Sequence, residues 1–319
     1  MDFQLSDDQR ALRAGVRELL AGRFGRDRMR AALDAGDGVD RALWRELGEA
    51  GFFALRLPEE EGGVGLGLPE AVLLFEEAGR SLLPGPLIAT HLAAGPVKGA
   101  ARGEAVVAVH EEGRPVAHLG EADALLVLAP GDGTGAPGET ATVRDAAPVR
   151  EAADAVRSVD PFTPLWRVEG PVEAGEPLPR GGRIRAEGAL LAAAEQLGSA
   201  ARTTEMAVGY AGAREQFGAP IGSFQAVKHL CAGMLVRAEV ARCAVYAAAV
   251  TGDPAEIAGA KLLADDAAVR NARDCLQVHG GMGFTWESDV HLHLKRAWLR
   301  SGQWLTAAAA EEVLAGNLC

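Results

Sequence analysis

The sequence is poor in cysteine, in long apolar runs and in positive charge, and each scarcity excludes a class of protein. Its cysteines lie far apart in the last third of the chain, and their spacing fits neither a zinc site nor a disulfide framework. They are Cys231, Cys243, Cys275 and Cys319. No apolar run has the length needed to cross a bilayer, so we expect no membrane partner. The opening residues, MDFQLSDDQR, lack the basic and apolar regions of a signal peptide, and we therefore expect a cytoplasmic protein.

Acidic residues outnumber basic residues by 44 to 32, which gives a formal net charge of −12 at pH 7. A chain with this balance repels a phosphate backbone, so nucleic acid is not an expected partner. An anionic cofactor would need a local group of positive side chains. The composition, 48% apolar and 24% charged, is that of a folded protein, and 319 residues are enough for two or three compact units.

Two groups of residues suggest a metal site, and both interpretations are rejected. The acidic run Glu59 to Glu61 precedes a Gly-Gly turn, and consecutive carboxylates in such a place usually form a solvated edge. His291 and His293 are two residues apart and would point to different faces of a helix. We therefore expect no metal, and we expect the two histidines at the surface or at an interface.

Three stretches of different character divide the chain. Residues 1–100 show helical periodicity and begin with a Ser-x-x-Gln capping box at Ser6, which predicts an N-terminal helical domain. Residues 101–183 contain the short runs AVVAVH, ADALLVLA and TATVR between Gly, Pro and Asp clusters, which is typical of a small β domain. Residues 184–319 return to long helical segments with short turns, which predicts an antiparallel bundle. The expected fold is mostly α with a small β domain.

The loop at residues 131–139, GDGTGAPGE, has glycines that suggest a phosphate-binding loop. It has no Gly-Lys-Ser/Thr ending and no long helix after it. We therefore expect a flexible turn there.

Two glycine-broken stretches interrupt the C-terminal helices. Residues 213–225 read AREQFGAPIGSFQ and join a helix from about Ala189 to one that runs from Phe224 to Val250. Residues 277–296 read QVHGGMGFTWESDVHLHLKR and follow another long helix. Arg214 lies at the end of the first helix, where an arginine can bond the last carbonyls or can reach an anion on another molecule. Its position alone favours the capping role.

Together the two stretches resemble the C-terminal domain of the acyl-CoA dehydrogenase family of flavoproteins. The matching patterns are Arg-x-Gln-Phe-Gly-x-Pro-Ile-Gly-x-Phe-Gln and Gln-x-His-Gly-Gly-x-Gly-Phe-Thr-Trp-Glu. The resemblance implies the fold of that family, with N-terminal helices, a middle β domain and a C-terminal helical bundle. It also implies FAD as the cofactor, an acyl-CoA as the substrate and an electron-transfer flavoprotein as the electron acceptor.

In the family, these motifs reach across a subunit interface to the FAD of a neighbouring protomer. Carried over by position, the resemblance implies a set of FAD contacts in this chain. They are Arg214, Phe217, Gln225, Gln277, Val278, His279, Gly280 and Gly281. A guanidinium suits a pyrophosphate, side-chain amides suit the adenosine part, and paired glycines let the backbone approach the cofactor closely.

Other features of the family are missing. The middle region is short and has neither the Thr-Glu-Pro motif nor the Trp-Ile-Thr motif that hold the flavin ring. The catalytic Glu of the family occupies one of two positions, and alignment from the two motifs brings these positions onto Trp304 and Gly188. Glu187, next to Gly188, and Glu195, two helical turns further along, are weak candidates for a substitute base. We expect that the chain has no base.

Such losses beside retained FAD contacts are typical of one subunit type in the α2β2 acyl-CoA dehydrogenases of bacterial steroid and cholesterol side-chain degradation. The resemblance therefore implies a second dehydrogenase-like subunit that holds most of the FAD and supplies the base for α,β-dehydrogenation of an acyl-CoA. Two alternatives stay open. A self-sufficient homo-oligomeric dehydrogenase would use Glu187 or Glu195, and a non-enzymatic helical scaffold of the same fold would bind neither FAD nor acyl-CoA.

Overall fold

A computed structural model describes residues 4–36, 38–129, 140–178 and 181–317. The N-terminal part is helical and packs around an aromatic cluster. The rings of Trp44 and Phe53 have centroids 4.7 Å apart, and Phe52 and Phe75 extend the cluster. The helices are α1 (Asp7–Arg23), α2 (Arg26–Ala35), α3 (Arg41–Glu49), α4 (Leu68–Arg80) and α5 (Leu87–Leu92).

Local signals in the sequence explain where these helices begin. The Ser6 hydroxyl accepts from the Gln9 N–H, and the Gln9 side chain accepts from the Ser6 N–H, each at 3.1 Å. The predicted capping box is therefore confirmed. Asp40 caps α3 in the same way, by accepting from two backbone N–H groups of the first turn. The acidic run Glu59–Glu61 forms an exposed 3₁₀ turn.

The middle part holds two small sheets and a short helix. Its elements are β1 (Val107–Glu111), β2 (Val116–Ala117), β3 (Ala124–Leu128), β4 (Ala141–Asp145), α6 (Ala147–Glu151), β5 (Ala153–Val156), β6 (Leu165–Val168) and β7 (Glu176–Pro177). In the first sheet, of order β1-β3-β4-β7, β1 runs parallel to β3 with Val107 opposite Ala124, and the other pairs are antiparallel. The second sheet, β2-β6-β5, is antiparallel. The three predicted strand runs correspond to β1, β3 and β4, whereas the glycine loop at 131–139 lies outside the described residues.

The C-terminal part is a bundle of long helices, which confirms the mostly helical fold. Its elements are α7 (Gly181–Ala213), β8 (Glu215–Gln216), β9 (Ala219–Pro220), α8 (Gln225–Thr251), α9 (Pro254–His279), α10 (Val290–Arg300) and α11 (Ala307–Gly316). α7 begins earlier than the apolar run at Ala189, because Ile184 and Ala186 already pack inward. Among the residues that the structure describes, no helix has both the length and the apolar character required to span a bilayer.

Helix α7 packs against α4, α8 and α9, and its backbone is in direct contact with the backbone of α4. A Cβ placed on Gly79 of α4 would lie 2.0 Å from the carbonyl oxygen of Glu195. A Cβ placed on Gly198 of α7 would lie 1.9 Å from the carbonyl oxygen of Glu76. Both distances are far below van der Waals contact, so the two helices can only approach in this way where glycine stands.

His293 is buried, and the prediction that it lies at the surface or at an interface was wrong. Its side chain is 3% exposed, and its Nδ1 lies 2.8 Å from the hydroxyl of Ser199 in α7. Burial lowers the pKa of His293 to about 3, so the ring stays neutral. The reason is that α10 turns this face toward the bundle, whereas His291 is half-buried and stacks on Trp286. Within the described ranges, no group of three or more His, Cys, Asp or Glu residues could hold a metal ion.

We expect Gly198→Ala to lower the free energy of unfolding by about 1 to 3 kcal/mol, the usual cost of overpacking. The new Cβ has no room against the α4 backbone. Gly209→Ala, in the same helix, is the matched control, because a Cβ there meets nothing within 4 Å. This control should raise the free energy of unfolding by about 0.5 to 1 kcal/mol. Chemical denaturation measures both, and equal effects would contradict the close approach of α4 and α7.

Candidate functional site

The two motif stretches meet at one end of the bundle. Helix α7 ends at Ala213 and α9 ends at His279, and the rings of Tyr210 and His279 stack with centroids 4.2 Å apart. Tyr210 lies one helical turn before Arg214. The contact therefore brings Arg214 and the stretch from Gln277 to Gly281 to the same end of the molecule.

Arg214 is exposed, and its guanidinium makes no hydrogen bond or ion pair with any part of the chain that the structure describes. Backbone hydrogen bonds cap the end of α7 instead. The Arg214 N–H donates to the Tyr210 carbonyl, and the Ile221 N–H donates to the Arg214 carbonyl, both at 2.8 Å. The side chain therefore does not perform the capping role that its position favours, and it is available to an anion from another molecule.

Phe217 and Gln225 also face outward. Phe217 sits in the turn between β8 and β9 with a φ of 54°, and its side chain is 95% exposed. A large aromatic side chain in a left-handed conformation is unusual and marks a site that the surrounding structure holds in place. Gln225 is the exposed first residue of α8. Its amide can therefore reach a ligand beyond the chain.

The second motif divides into inward and outward residues. Gln277 is exposed, whereas Val278 is 6% exposed and packs in a core cluster with Ala207 and Met234. Only the backbone of Val278 can therefore contact a ligand. His279 is half-buried, and its Nδ1–H donates to the Cys275 carbonyl at 2.8 Å, which leaves Nε2 as the free ring atom.

Gly280 and Gly281 present bare backbone to the surface. Gly280 ends α9 with φ 59° and ψ −140°, a conformation that is essentially restricted to glycine. A Cβ on either residue would meet nothing within 4 Å, so the peptide groups face open space. The arrangement lets a second molecule approach the backbone closely.

Gly280→Ala should lower the free energy of unfolding by about 1 to 3 kcal/mol, because alanine is strained at this φ and ψ. Gly281→Ala is the control one residue along the chain, where φ is not positive and space is open. It should change the free energy by no more than about 0.5 kcal/mol. Thermal and chemical denaturation compare the two variants. A Gly281→Ala cost as large as that of Gly280→Ala would contradict the open space around Gly281.

The two positions onto which the resemblance places the base of the family lie against each other in this chain. Trp304 is 3% exposed, and a Cβ placed on Gly188 would lie 2.1 Å from its ring. Trp304 has a φ of 63°, and its backbone N–H donates to Glu111 Oε1 at 3.0 Å. The indole therefore occupies the space where a side chain at position 188 would have to stand.

The two weak candidates for a base are both paired with arginine. Glu187 accepts from Arg56 Nη1 at 2.8 Å and is partly buried. Glu195 is 4% exposed, and its Oε2 lies 2.9 Å from Arg300 Nε. Burial raises the pKa of Glu195, although the neighbouring guanidinium groups oppose the shift. Each carboxylate already has a structural partner.

A cavity of about 50 Å³ lies beside Trp304 and Glu195. Its wall also includes His118, Arg296 and Arg300. A groove of about 430 Å³ shares three wall residues with this cavity and opens outward past Trp298. The shared residues are Val109, Ala117 and Gln303.

The charged face of α10 was not predicted from the sequence. Arg296 is 3% exposed and pairs with the fully buried Asp160, and Arg300 pairs with Glu195. His293, Arg296 and Arg300 recur at i, i+3 and i+7, so one helical face carries all three. That spacing is the signal that could have found them, whereas Asp160 lies in an irregular segment without a periodic pattern.

Two family models match the chain. Residues 6–102 match the acyl-CoA dehydrogenase N-terminal domain, and residues 186–301 match the acyl-CoA dehydrogenase C-terminal domain. The acyl-CoA dehydrogenase IpdE2 of Mycobacterium tuberculosis is 37% identical over 299 residues, which cover 91% of each chain. FadE34, an acyl-CoA dehydrogenase of the same organism, is 36% identical over 87% of this chain and 44% of its own length. The chain therefore belongs to the acyl-CoA dehydrogenase family, which are oxidoreductases that act on acyl-CoA.

Solved structures agree with this fold. A chain of the ChsE4-ChsE5 complex from Mycobacterium tuberculosis superposes with a TM-score of 0.84 at 24% identity, over 100% of this chain and 99% of that one. A variant of the Tcur3481-Tcur3483 steroid ACAD superposes with a TM-score of 0.83 at 26% identity, over 98% of both chains. The mostly helical acyl-CoA dehydrogenase fold implied by the resemblance is confirmed.

Proposed function

We propose that this chain is a subunit of an FAD-dependent acyl-CoA dehydrogenase that contributes FAD contacts across a subunit interface and lacks the catalytic base. A second dehydrogenase-like subunit, in an α2β2 assembly, holds most of the FAD and supplies the base. The assembly carries out α,β-dehydrogenation of an acyl-CoA in the cytoplasm, with a steroid-derived thioester as the substrate class and an electron-transfer flavoprotein as the acceptor. The observation that carries the proposal is the packing of Trp304 against Gly188.

The chemistry requires a carboxylate that removes the α-proton of the thioester while a hydride leaves the β-carbon. FAD, when bound, supplies the hydride acceptor. In this chain an indole stands at one base position, and a Cβ at the other would lie 2.1 Å from that indole. Glu195 is held by Arg300, and Glu187 is held by Arg56. These contacts favour a base that comes from another subunit.

The inner cavity by itself is too small and too charged for a thioester site, whereas the adjoining outer groove of about 430 Å³ is large enough. Small-molecule sites usually measure about 300 to 1,000 Å³ and are largely apolar. The cavity beside Trp304 measures about 50 Å³ and has Glu195, Arg296 and Arg300 in its wall. The carboxylate nearest the outer groove, Glu111, accepts from the Trp304 N–H and from Arg185 Nη1. The Glu111 carboxylate is therefore also held by hydrogen bonds within the chain.

The end of the bundle where the two motif stretches meet supports a contact with a second subunit. Phe217 is 95% exposed, Phe284 is 74% exposed, and Met282 and Trp286 are each more than half exposed. Large apolar side chains that gather at one surface usually mark an interaction site. Phe217 follows Arg214 by three residues, and Met282, Phe284 and Trp286 follow Gly280 and Gly281 in the second motif stretch, so all four belong to the stretches that the resemblance assigns to FAD.

These outward groups fit the pyrophosphate and adenosine parts of FAD better than the flavin ring. A guanidinium without a partner suits a pyrophosphate, and the side chains of Gln225 and Gln277 can bond to the adenosine part. The flavin ring would need contacts from the middle part of the chain. The two matched family models end at residue 102 and begin again at residue 186, so neither of them covers residues 103–185. This distribution supports a cofactor shared between two subunits.

The test is co-expression with a second dehydrogenase-like subunit. We expect a complex with the mass of an α2β2 tetramer and bound flavin, and little visible absorbance from this chain alone, because only the outer FAD contacts are present. A stoichiometric flavin spectrum from the pure single chain would instead favour the self-sufficient homo-oligomer. Absence of both flavin and acyl-CoA binding in every assembly would favour the helical scaffold.

Arg214→Ala should weaken flavin binding in the assembled complex by about one to two decades. A charge-assisted hydrogen bond to a pyrophosphate is worth about 1.5 to 3 kcal/mol, and each 1.4 kcal/mol is about tenfold in affinity. Arg102→Ala is the control, because Arg102 is exposed and its ion pair with Glu104 lies in the segment between α5 and β1, outside the two motif stretches. Flavin titration of the apo-complex measures both, and unchanged affinity for Arg214→Ala would remove this residue from the site.

Glu187→Gln and Glu195→Gln should leave turnover of the complex nearly unchanged. Removal of a true base lowers turnover by a factor of about 10² to 10⁴, and the amide keeps the volume of the side chain. Flavin content and complex mass must stay constant for the comparison, since Glu195 pairs with a buried arginine. A loss of turnover of that size in either variant, with the assembly intact, would place the base in this chain.

A further inference from the structure

A groove of about 470 Å³, which we call the arginine groove, lies where the N-terminal helices meet the bundle. Its wall contains four arginines, each from a different helix. They are Arg17 of α1, Arg26 of α2, Arg80 of α4 and Arg202 of α7. The volume falls in the usual range of small-molecule sites, about 300 to 1,000 Å³. None of the residues that the resemblance assigns to FAD lines this groove.

Shared carboxylates hold three of these guanidinium groups close together. Glu77 accepts from Arg17 Nε and Nη2 at 2.8 and 2.6 Å, and it lies 3.9 Å from Arg80 Nε. Glu205 pairs both with Arg80 and with Arg202, the latter at 3.5 Å. Burial opposes the shift, but the bonds and charges of Arg80, Arg202 and Arg17 lower the pKa of Glu205. The three arginines therefore form one connected group.

The group keeps donors that no other part of the described chain uses. Arg202 makes only its 3.5 Å contact with Glu205, and its side chain is 45% exposed. Arg17 uses Nε and Nη2 for Glu77, so Nη1 remains, and its side chain is 51% exposed. Arg26 likewise uses Nε and Nη2, for Asp289 and the Glu287 carbonyl. Because these side chains are exposed, a ligand in the groove can reach them from solvent.

The ion pairs of the groove leave an excess of positive charge. Asp289 pairs with Arg26 and also with Arg30 from α2. Five arginines, the four of the wall and Arg30, thus meet three carboxylates, which are Glu77, Glu205 and Asp289. His293 also lines the groove, but burial lowers its pKa to about 3 and the ring adds no charge. The local excess of two positive charges contrasts with the formal net charge of −12 of the whole chain.

The chemistry of the wall favours a phosphate group over a carboxylate. Guanidinium groups match both anions in geometry. A phosphate monoester carries about −1.5 to −2 charges at pH 7 and has three strong acceptor oxygens, so it can bond to arginines from several helices and offset the excess charge. A carboxylate has two oxygens and one charge. The rest of the wall includes Phe24, Met29, Leu82 and Met206, which suit an organic body attached to the phosphate.

We infer that the arginine groove binds the phosphate group of a phosphorylated small molecule, with Arg17, Arg80 and Arg202 as its ligands. The organic body lies along the apolar part of the wall. Such a ligand bridges α1, α4 and α7 and so connects the N-terminal part to the bundle. The inference is independent of the proposed function, since it needs neither FAD nor a partner subunit.

The first experiment is calorimetric titration of the full chain with AMP, inorganic phosphate and adenosine at constant ionic strength. We expect AMP to bind with a dissociation constant of about 1 mM or lower, and adenosine to bind at least about tenfold more weakly, because it lacks the phosphate. Tighter binding of AMP than of phosphate would identify an organic phosphate as the ligand, and equal affinities would identify inorganic phosphate. Adenosine that binds as tightly as AMP, or no binding of either AMP or phosphate, would overturn the inference.

Two matched variants locate the binding. Arg202→Gln removes the guanidinium with the fewest contacts inside the chain, so it should weaken AMP binding about tenfold or more and leave the midpoint of chemical unfolding unchanged. Arg270→Gln is the control, because Arg270 is exposed, pairs with Asp266 on α9 and does not line the groove. It should keep the full affinity. Unchanged AMP binding in Arg202→Gln, or an equal loss in Arg270→Gln, would contradict a phosphate site in the arginine groove.

Discussion

The close approach of α4 and α7 is the constraint on which the rest of the structure depends. No side chain separates the helices at Gly79 and Gly198, so the position of α7 is fixed by contact between main chains. Glu195 connects this backbone contact to α10. Its carbonyl faces α4, and its carboxylate pairs with Arg300 of α10. The helix that carries the buried arginines is therefore linked to the N-terminal part through Glu195, and it also reaches that part directly, because Arg296 Nη1 donates to the Leu83 carbonyl at 3.2 Å.

An alanine-rich helix packs closely but specifies its register poorly, because small side chains interlock weakly. In α7 the missing specificity comes from buried polar contacts. Gln196 Nε2 donates to Asp265 Oδ1 at 2.9 Å and to the Ala297 carbonyl at 3.0 Å. Asn271 of α9 donates to the Ala200 carbonyl at 3.2 Å. A shift of α7 by one residue would leave these groups buried and unpaired, which penalises the wrong register.

The features that the sequence predicted are the local ones. The cap at Ser6 depends on a residue three positions away, and the glycine breaks around Gly218 and Gly280 depend on a single backbone conformation. The family motifs indicated that Arg214 reaches toward another molecule, and the structure shows that its side chain is exposed. These signals require no knowledge of what lies on the other side of the core.

The features that the sequence did not predict involve distant partners. Arg296 and Asp160 are 136 residues apart, and no local pattern links them. Alignment placed Trp304 and Gly188 at the two base positions, but their mutual contact emerges only when α7 and the segment after α10 pack together. The inward side chain of Val278 was hidden for the same reason, because periodicity shows a helical face and not what covers it.

The contact between Trp304 and Gly188 makes each of these two positions hard to change on its own. A glutamate at position 188 would collide with the indole, and a glutamate at position 304 would put a new charge against Glu111 and Glu195 in the space of a buried ring. Each single step passes through a destabilised protein, and only a coordinated pair of changes avoids it. The two residues that complete this part of the core are therefore coupled by epistasis, so the tolerance of either position to substitution depends on the residue at the other.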